Sequence, residues 1–176
     1  LIYLSLIAEK KNLHLLLSAL QKTHGISLDI FGPIKDKKYW QICKNMIDNM
    51  STIARYMGDA EPANVQHILQ KYDALALLTK GENFGHAIYE SLSVGRPVVI
   101  SNYTPWQNLA DKQAGWNTSL NGQEIREVMD SIKLLDNQQH QVYCEGAYKL
   151  AGNYFNTIDV KTAYGTLFNE LYIAEN

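Results

Sequence analysis

The sequence predicts a doubly wound α/β domain with a Rossmann-like parallel sheet. Short apolar runs alternate along the chain with segments whose apolar residues recur at helical spacing. Alternating strands and helices imply right-handed crossovers and parallel strands. The strand cores at 75–78 and 98–100 are unbroken apolar runs, which is the pattern of a sheet covered on both faces.

The first half of the chain contains three predicted strands, each followed by a predicted helix. Leucines at positions i, i+3, i+4 and i+7 indicate the first helix, and the third helix tolerates proline in its first turn. The second strand ends at Gly32-Pro33 and the third at Gly58, because both sequences favour turns. The predicted strands are 1–7, 27–31 and 52–57, and the predicted helices are 11–21, 36–50 and 61–71.

The second half continues the alternation and then turns helical. The apolar run at 73–79 predicts the fourth strand, and a polar loop at 80–83 leads into a helix at 84–94. The sequence Gly95-Arg96-Pro97 ends that helix before the fifth strand at 98–100. Further on we expect a helix at 104–112 behind Pro105, a short edge strand at 116–120, and helices at 124–135, 138–155 and 160–174.

Composition places the chain among ordinary globular domains. Its 176 residues are 46% hydrophobic and 19% charged, which suits one domain with a sizeable core. Sixteen basic and eighteen acidic residues give a net charge of −2, which argues against nucleic acid as a partner. Cys43 and Cys144 are too few for a disulfide framework, and no Cys/His cluster has zinc spacing. The chain starts without Met inside an apolar run, so we expect one domain of a larger protein.

A doubly wound sheet binds ligands beyond the carboxyl ends of its strands, where the strand order reverses. In the order 3-2-1-4-5 this point lies between the first and fourth strands, so the loops at 6–12 and 79–86 should form the site. The first loop carries Lys10 and Lys11, and lysine meets phosphate as a point charge. Each lysine taken alone is equally consistent with a solvated surface charge.

The second loop combines glycines with two carboxylates. Gly81 and Gly85 permit tight turns, and the helix that follows presents its free N–H groups to a pyrophosphate. Glu82 precedes this helix, and Glu90 lies on it, where a carboxylate can accept hydrogen bonds from vicinal hydroxyls. Alternatively Glu82 is an acidic residue favoured at a helix start and Glu90 a solvated position. The convergence of both loops favours a phosphate or nucleotide site.

These residues resemble a known family. The run Gly81-Glu82-Asn83-Phe84-Gly85-His86, with Glu90 eight residues after Glu82, resembles the donor-binding half of retaining glycosyltransferases of family 4, which have the two-domain GT-B fold. The segments 10–13, 31–33 and 95–101 extend the resemblance to about residue 120. The element Thr104-Pro105-Trp106 is similar to a bacterial polysaccharide-biosynthesis branch.

The resemblance implies a function and a set of roles. The family transfers a sugar from a nucleotide-diphosphate sugar to a glycan or lipid-linked acceptor with retention, without a bound metal or other cofactor. An N-terminal acceptor domain would be absent here, so the isolated domain would be inactive. A cytoplasmic location is implied, with peripheral association at the inner membrane face left open. The resemblance gives catalytic roles to Glu82 and Lys11. It gives donor-binding roles to Lys10, Asn83, Phe84, Gly85, His86 and Glu90, and Glu90 would bind the ribose of the donor.

One position departs from the family pattern. Leu6 stands where the family has an arginine that partners the lysine on the diphosphate, and leucine cannot donate to an oxyanion. The departure leaves three alternatives open, namely weaker donor binding, compensation by Lys10, and a non-catalytic pseudo-transferase. A GT-B nucleotide-sugar epimerase is a second alternative, which the full 81–86 motif argues against. A receiver-like regulatory domain would need an acidic cluster after the first strand, and residues 5–7 offer none.

Overall fold

A computed structural model of the chain describes residues 1–50 and 53–157, and these form one six-stranded sheet between two layers of helices. The strands are β1 (Ile2–Leu4), β2 (Leu28–Phe31), β3 (Ala54–Gly58), β4 (Leu75–Leu77), β5 (Val98–Ser101) and β6 (Gly115–Thr118). Their order is β3-β2-β1-β4-β5-β6, and every neighbouring pair is parallel. The predicted fold class and the reversal between β1 and β4 are therefore confirmed.

Helices cover both faces of the sheet. They are α1 (Leu13–Leu20), α2 (Lys37–Asp48), α3 (Val65–Leu69), α4 (His86–Ser93), α5 (Gly122–Lys133) and α6 (Asn137–Thr157). One layer contains α1 packed against α2 and α5, and the other contains α4 packed against α3 and α6. Within the described ranges, no helix is both long and apolar enough to cross a membrane.

The central strands are buried on both sides, which accounts for their unbroken apolar sequences. Ile2 and Tyr3 of β1 and Leu75 of β4 have no exposed surface. Burying an aliphatic side chain such as Ile2 or Leu75 stabilises the fold by about 1.5–3 kcal/mol. Cys43 and Cys144 are free thiols buried in α2 and α6.

Side-chain caps set the starts of two helices. The Asp36 carboxylate accepts the Tyr39 N–H at 2.9 Å, so α2 begins at residue 37. The Asn121 side chain accepts the Gln123 N–H at 2.8 Å, so α5 begins at residue 122, two positions before its predicted start. Both are the short polar residues that favour this position, because their oxygens satisfy N–H groups without partners in the first turn.

The predicted helix at 104–112 is wrong, because this segment consists of turns. The Asn117 side chain donates to the Trp106 carbonyl at 2.8 Å and accepts the Leu109 N–H at 3.0 Å. Asn108 also has a positive φ of 58°, which a right-handed helix excludes. An asparagine from the neighbouring strand β6 thus satisfies backbone groups that a helix would have paired internally.

Two other predicted helices each include a 3-10 turn in the structure. The first begins at Leu13 rather than residue 11, because Asn12 takes the left-handed conformation with φ of 53° and separates α1 from a short 3-10 turn, Glu9–Lys11. The predicted helix at 61–71 divides into the 3-10 turn Pro62–Asn64 and α3. The helix predicted at 160–174 lies outside the described residues.

Gly146 and Gly152 lie on the same helix, α6, in different surroundings. A Cβ atom at Gly146 would lie 2.1 Å from the Gln113 carbonyl oxygen, whereas one at Gly152 would meet no described atom within 4 Å. Alanine favours a helix over glycine by about 0.5–1 kcal/mol. We therefore expect Gly152→Ala to raise the free energy of unfolding by that amount, and Gly146→Ala to lower it by about 1–3 kcal/mol because of overpacking. Urea unfolding measures both changes, and equal effects would contradict the close packing of α6 on residues 112–113.

Candidate functional site

The crevice of this protein lies where the loops after β1 and β4 meet. Its walls are residues 9–12 and residues 79–86. The Lys80 N–H donates to the Lys10 carbonyl at 2.8 Å, and the Thr79 hydroxyl donates to the Gly81 carbonyl at 3.0 Å. The Thr79 hydroxyl also lies 3.4 Å from the Lys10 carbonyl, so two segments about 70 residues apart in sequence meet at the carboxyl ends of adjacent strands.

An ion pair spans the crevice. The Lys11 ammonium donates to the Glu82 carboxylate, and the two side chains are only 16% and 14% exposed. Partial shielding from water strengthens the attraction between opposite charges, because the local dielectric is lower than that of the solvent. The structure therefore brings together the two side chains whose role the resemblance gives as catalytic.

Two further lysines surround this pair. Lys80 donates to the Glu9 carboxylate at 2.9 Å in an exposed ion pair. The Lys10 side chain lies over Gly81, where a Cβ atom would be 4.0 Å from its ammonium nitrogen. Among the described residues, no carboxylate lies within ion-pair distance of Lys10, so its charge is available to a ligand.

The first turn of α4 closes the crevice on the β4 side. Gly85 precedes the helix with φ of 81°, and a Cβ atom there would lie 2.8 Å from the Ile88 side chain. This position therefore requires glycine. No side chain caps the helix, so its first N–H groups and the positive end of its dipole can stabilise an anion.

Glu90 lies on α4, one turn beyond the helix start. It is half-buried, and its carboxylate has no hydrogen bond with the described part of the chain. Burial raises the pKa of this carboxyl above its ordinary value of 4.5, and the nearby His86 partly opposes the shift. Glu90 is consequently a carboxylate that gains from a hydrogen-bond donor brought by a ligand.

The loop after β5 holds the 79–85 loop from the side opposite β1, which sequence reasoning missed. The Ser101 hydroxyl donates to the Thr79 carbonyl at 2.5 Å, and the Glu82 N–H donates to the Tyr103 carbonyl at 3.0 Å. The Trp106 indole N–H donates to the Phe84 carbonyl at 2.6 Å. Trp106 itself is only 3% exposed. Nothing in its spacing indicates the bond to residue 84.

The remaining predicted site residues differ in exposure. Asn83 and His86 are exposed at the crevice, whereas Phe84 is half-buried and packs with its ring centroid 5.7 Å from that of Trp106. Leu6 is 43% exposed in the loop after β1, and the buried Tyr3 hydroxyl donates to its carbonyl at 3.0 Å. The structure therefore places no basic side chain at position 6.

The rest of the described molecule contains a further part-buried ion pair, Asp29–Arg55, whose carboxylate also accepts the Tyr72 hydroxyl at 2.8 Å. Its residues include no group of three or more His, Cys, Asp or Glu side chains placed to share a metal ion. A cavity of about 510 Å³ lies between α6 and the 112–113 segment, and is lined by Gly146 and Tyr154 among others. Its volume alone gives it no chemistry, and the crevice is the better candidate site.

Comparison with known proteins identifies related chains. The model of the family glycosyl transferases group 1 matches residues 1–145. HepE of Anabaena, solved in complex with UDP-glucose, is 20% identical with a TM-score of 0.79, and the match covers 97% of this chain and 48% of that one. Sucrose-phosphate synthase of Thermosynechococcus elongatus is 15% identical with a TM-score of 0.83, covering 98% and 45%. No curated protein matches at a significant level.

A third structure is similar over nearly its whole length. The catalytic domain of cholesterol-α-glucosyltransferase from Helicobacter pylori is 20% identical with a TM-score of 0.71, covering 87% of this chain and 97% of that one. The present chain spans about half the length of HepE and of the synthase. At these identities the structural likeness shows the fold, which is Rossmann-like as the sequence predicts.

The shielded pair Lys11–Glu82 and the exposed pair Lys80–Glu9 allow a matched comparison of coupling. Double-mutant cycles with Lys→Met and Glu→Gln changes, followed by urea unfolding, isolate the energy of each pair. We expect a coupling free energy of about 1–3 kcal/mol for Lys11–Glu82, because a shielded charge left without its partner is costly. For the exposed pair Lys80–Glu9 we expect a coupling free energy under about 1 kcal/mol. A Lys11–Glu82 coupling no larger than the exposed one would contradict the shielding described here.

Proposed function

This chain belongs to the family glycosyl transferases group 1, and on that premise we propose that it is the donor-binding domain of a transferase that uses a nucleotide-diphosphate sugar. The observation that carries the proposal is the crevice, where Lys10 and Lys11 meet the loop before the uncapped start of α4, with Glu90 one turn along that helix. The structure of HepE with UDP-glucose supports a nucleotide sugar as ligand. The family match favours this function over the epimerase and regulatory-domain alternatives.

The diphosphate would bind at the junction of the two loops. N–H groups in the first turn of α4 point at the developing anion, and Lys11 adds a full positive charge. When the bond to the sugar breaks, negative charge grows on the leaving diphosphate, and fixed positive groups stabilise it in the transition state. The lysines and the helix start supply the charge that the diphosphate needs, so the proposal requires no metal ion.

Glu82 has a double role in this proposal. In the free chain its carboxylate holds the Lys11 ammonium in the crevice. A bound diphosphate competes for that ammonium, and Glu82 then faces the sugar together with Asn83 and His86. Preorganisation of Lys11 by its own neighbour reduces the ordering cost that a free lysine side chain would add to binding.

Glu90 would hold the ribose of the donor. A carboxylate accepts two hydrogen bonds from vicinal hydroxyls, and such bonds to an ionised group contribute about 1.5–3 kcal/mol. Its place one turn inside α4 puts it next to the helix start that takes the phosphates. Residues 56–59, at the end of β3, lie at the carboxyl edge of the same sheet and are the proposed neighbours of the base.

The resemblance implies an arginine at position 6 as a cationic partner of the diphosphate, and Leu6 cannot supply that charge. Lys10 is the proposed compensation, because its ammonium lies over Gly81 with no carboxylate of the described residues in ion-pair distance. This arrangement favours a working donor site over a pseudo-transferase. The donor's phosphates would then meet lysines at two successive positions of the first loop.

The finer features of the reaction are proposals from the resemblance. They comprise retention at the anomeric carbon, membership of family 4, a hexosyl donor, and a glycan or lipid-linked acceptor. The acceptor would bind a separate N-terminal domain, so this chain alone would hold a donor without transferring the sugar. A cytoplasmic protein, associated with the inner membrane face through that other domain, fits such an acceptor.

Isothermal titration calorimetry with UDP, GDP and ADP at millimolar levels tests donor binding by the chain. We expect binding of at least one nucleotide, and a loss of about ten- to a hundredfold in affinity in Glu90→Gln, because a neutral amide replaces the charged acceptor. Glu127→Gln, exposed on α5, is the matched control and should bind as the wild type does. An absence of heat with all three nucleotides would sink the proposal.

The same titration repeated across pH separates the ribose contact from other effects. Burial raises the pKa of Glu90, so the carboxyl gains a proton as the pH falls through a value above its ordinary 4.5. The affinity of the wild type for the nucleotide should therefore decrease as the pH is lowered through that range, and more steeply than the affinity of Glu90→Gln. Titration of the nucleotide phosphate affects both proteins equally, so the difference between the two profiles is due to Glu90. Parallel pH profiles in the two proteins would exclude Glu90 from the contact.

A further inference from the structure

Four aromatic side chains form a cluster behind the crevice. They are Phe84, Tyr89, Trp106 and Tyr154, referred to here as the aromatic cluster. The Trp106 and Tyr154 rings have centroids 4.6 Å apart, and Phe84 lies 5.5 Å from Tyr154 and 5.7 Å from Trp106. Centroid separations of this size are those of favourable aromatic pairs, so the cluster packs as one unit.

The members of the aromatic cluster come from four separate parts of the chain. Phe84 precedes α4, Tyr89 lies on α4, Trp106 belongs to the loop after β5, and Tyr154 lies near the end of α6. The cluster therefore connects the last described turns of α6 to the 79–85 loop. Because α4 also packs directly on α6, the two contacts act together.

One hydrogen bond links the aromatic cluster to the backbone of the crevice. The Trp106 indole N–H donates to the Phe84 carbonyl at 2.6 Å. The peptide that this carbonyl belongs to also carries the Gly85 N–H, and in a trans peptide the two groups point in opposite directions. Fixing the carbonyl thus fixes the direction of the N–H at the start of α4. Gly85 has a positive φ, so its own backbone conformation gives little restraint.

We propose that Trp106 and Tyr154 are positioning residues for the nucleotide site, and that α6 is energetically coupled to donor binding through them. The proposal rests on the donor-binding function proposed above. Trp106 holds the peptide before α4 in the orientation that its N–H groups need, and Tyr154 holds Trp106 by ring contact. A loop ordered before the ligand arrives spares the entropy of ordering it during binding.

The chain offers a matched control for the central substitution. Trp116 on β6 stacks on Tyr143 of α6 with centroids 4.4 Å apart, so it also joins α6 to the sheet by an aromatic contact. It lies outside the aromatic cluster and makes no hydrogen bond with the 79–85 loop in the described structure. Trp116→Phe therefore removes the same atoms from a comparable contact without touching the crevice.

Calorimetry with UDP on four variants tests the proposal. Trp106→Phe should weaken UDP binding by about two- to tenfold, the size of one hydrogen bond, whereas Trp116→Phe should bind as the wild type does. Tyr154→Leu should weaken binding, and Tyr154→Phe, which keeps the ring, should restore it. Equal affinities in Trp106→Phe and Trp116→Phe would overturn the proposal while leaving the donor-binding function intact.

A spectroscopic readout in the wild-type chain covers the case in which a variant fails to fold. With ¹⁵N labelling, the indole resonance of Trp106 should shift on addition of UDP, and that of Trp116 should stay in place. A bound nucleotide with an unmoved Trp106 resonance contradicts the coupling alone. A wild-type chain that binds no nucleotide contradicts the proposed function and, with it, this proposal.

Discussion

The reversal of strand order between β1 and β4 is the constraint on which the rest of the site depends. The chain crosses from β1 to β2 on one side of the reversal and from β4 to β5 on the other, so the loops after β1 and β4 diverge above adjacent strands. The crevice between the two loops is therefore a consequence of the strand order and does not depend on any particular side chain. Lys11 and Glu82, 71 residues apart in sequence, meet there because their strands are neighbours.

Charge in this protein is arranged locally rather than as a surface field. The chain is near neutral overall, yet three lysines and three glutamates lie on the two crevice loops and on α4. Two lysines are held by Glu9 and Glu82, while Lys10 and the start of α4 face the crevice without such partners among the described residues. A ligand diphosphate needs only these few positive groups beside it, so a basic face is unnecessary.

Periodicity and glycine placement predict most of the fold, because buried strands and amphipathic helices each have a local signature. These local patterns fail at 104–112, because the Asn117 side chain, 8 to 11 residues away, makes the hydrogen bonds that a helix would have made internally. They also fail at the start of α1, where Asn12 has a left-handed backbone conformation. The motif and the topology together predict that Lys11, Glu82 and Glu90 share one crevice. The bond from Trp106 to Phe84 is a single tertiary contact over 22 residues, which no local pattern encodes.

A crystal structure of the chain with UDP decides whether the crevice is the nucleotide site. We expect a diphosphate within hydrogen-bond reach of Lys11 and of the first-turn N–H groups of α4, with the ribose hydroxyls on Glu90. The Lys11 ammonium would then be shared between Glu82 and the phosphate. UDP bound in the cavity beside Gly146, with the crevice empty and the Lys11–Glu82 pair unchanged, would rule out the crevice as the donor site.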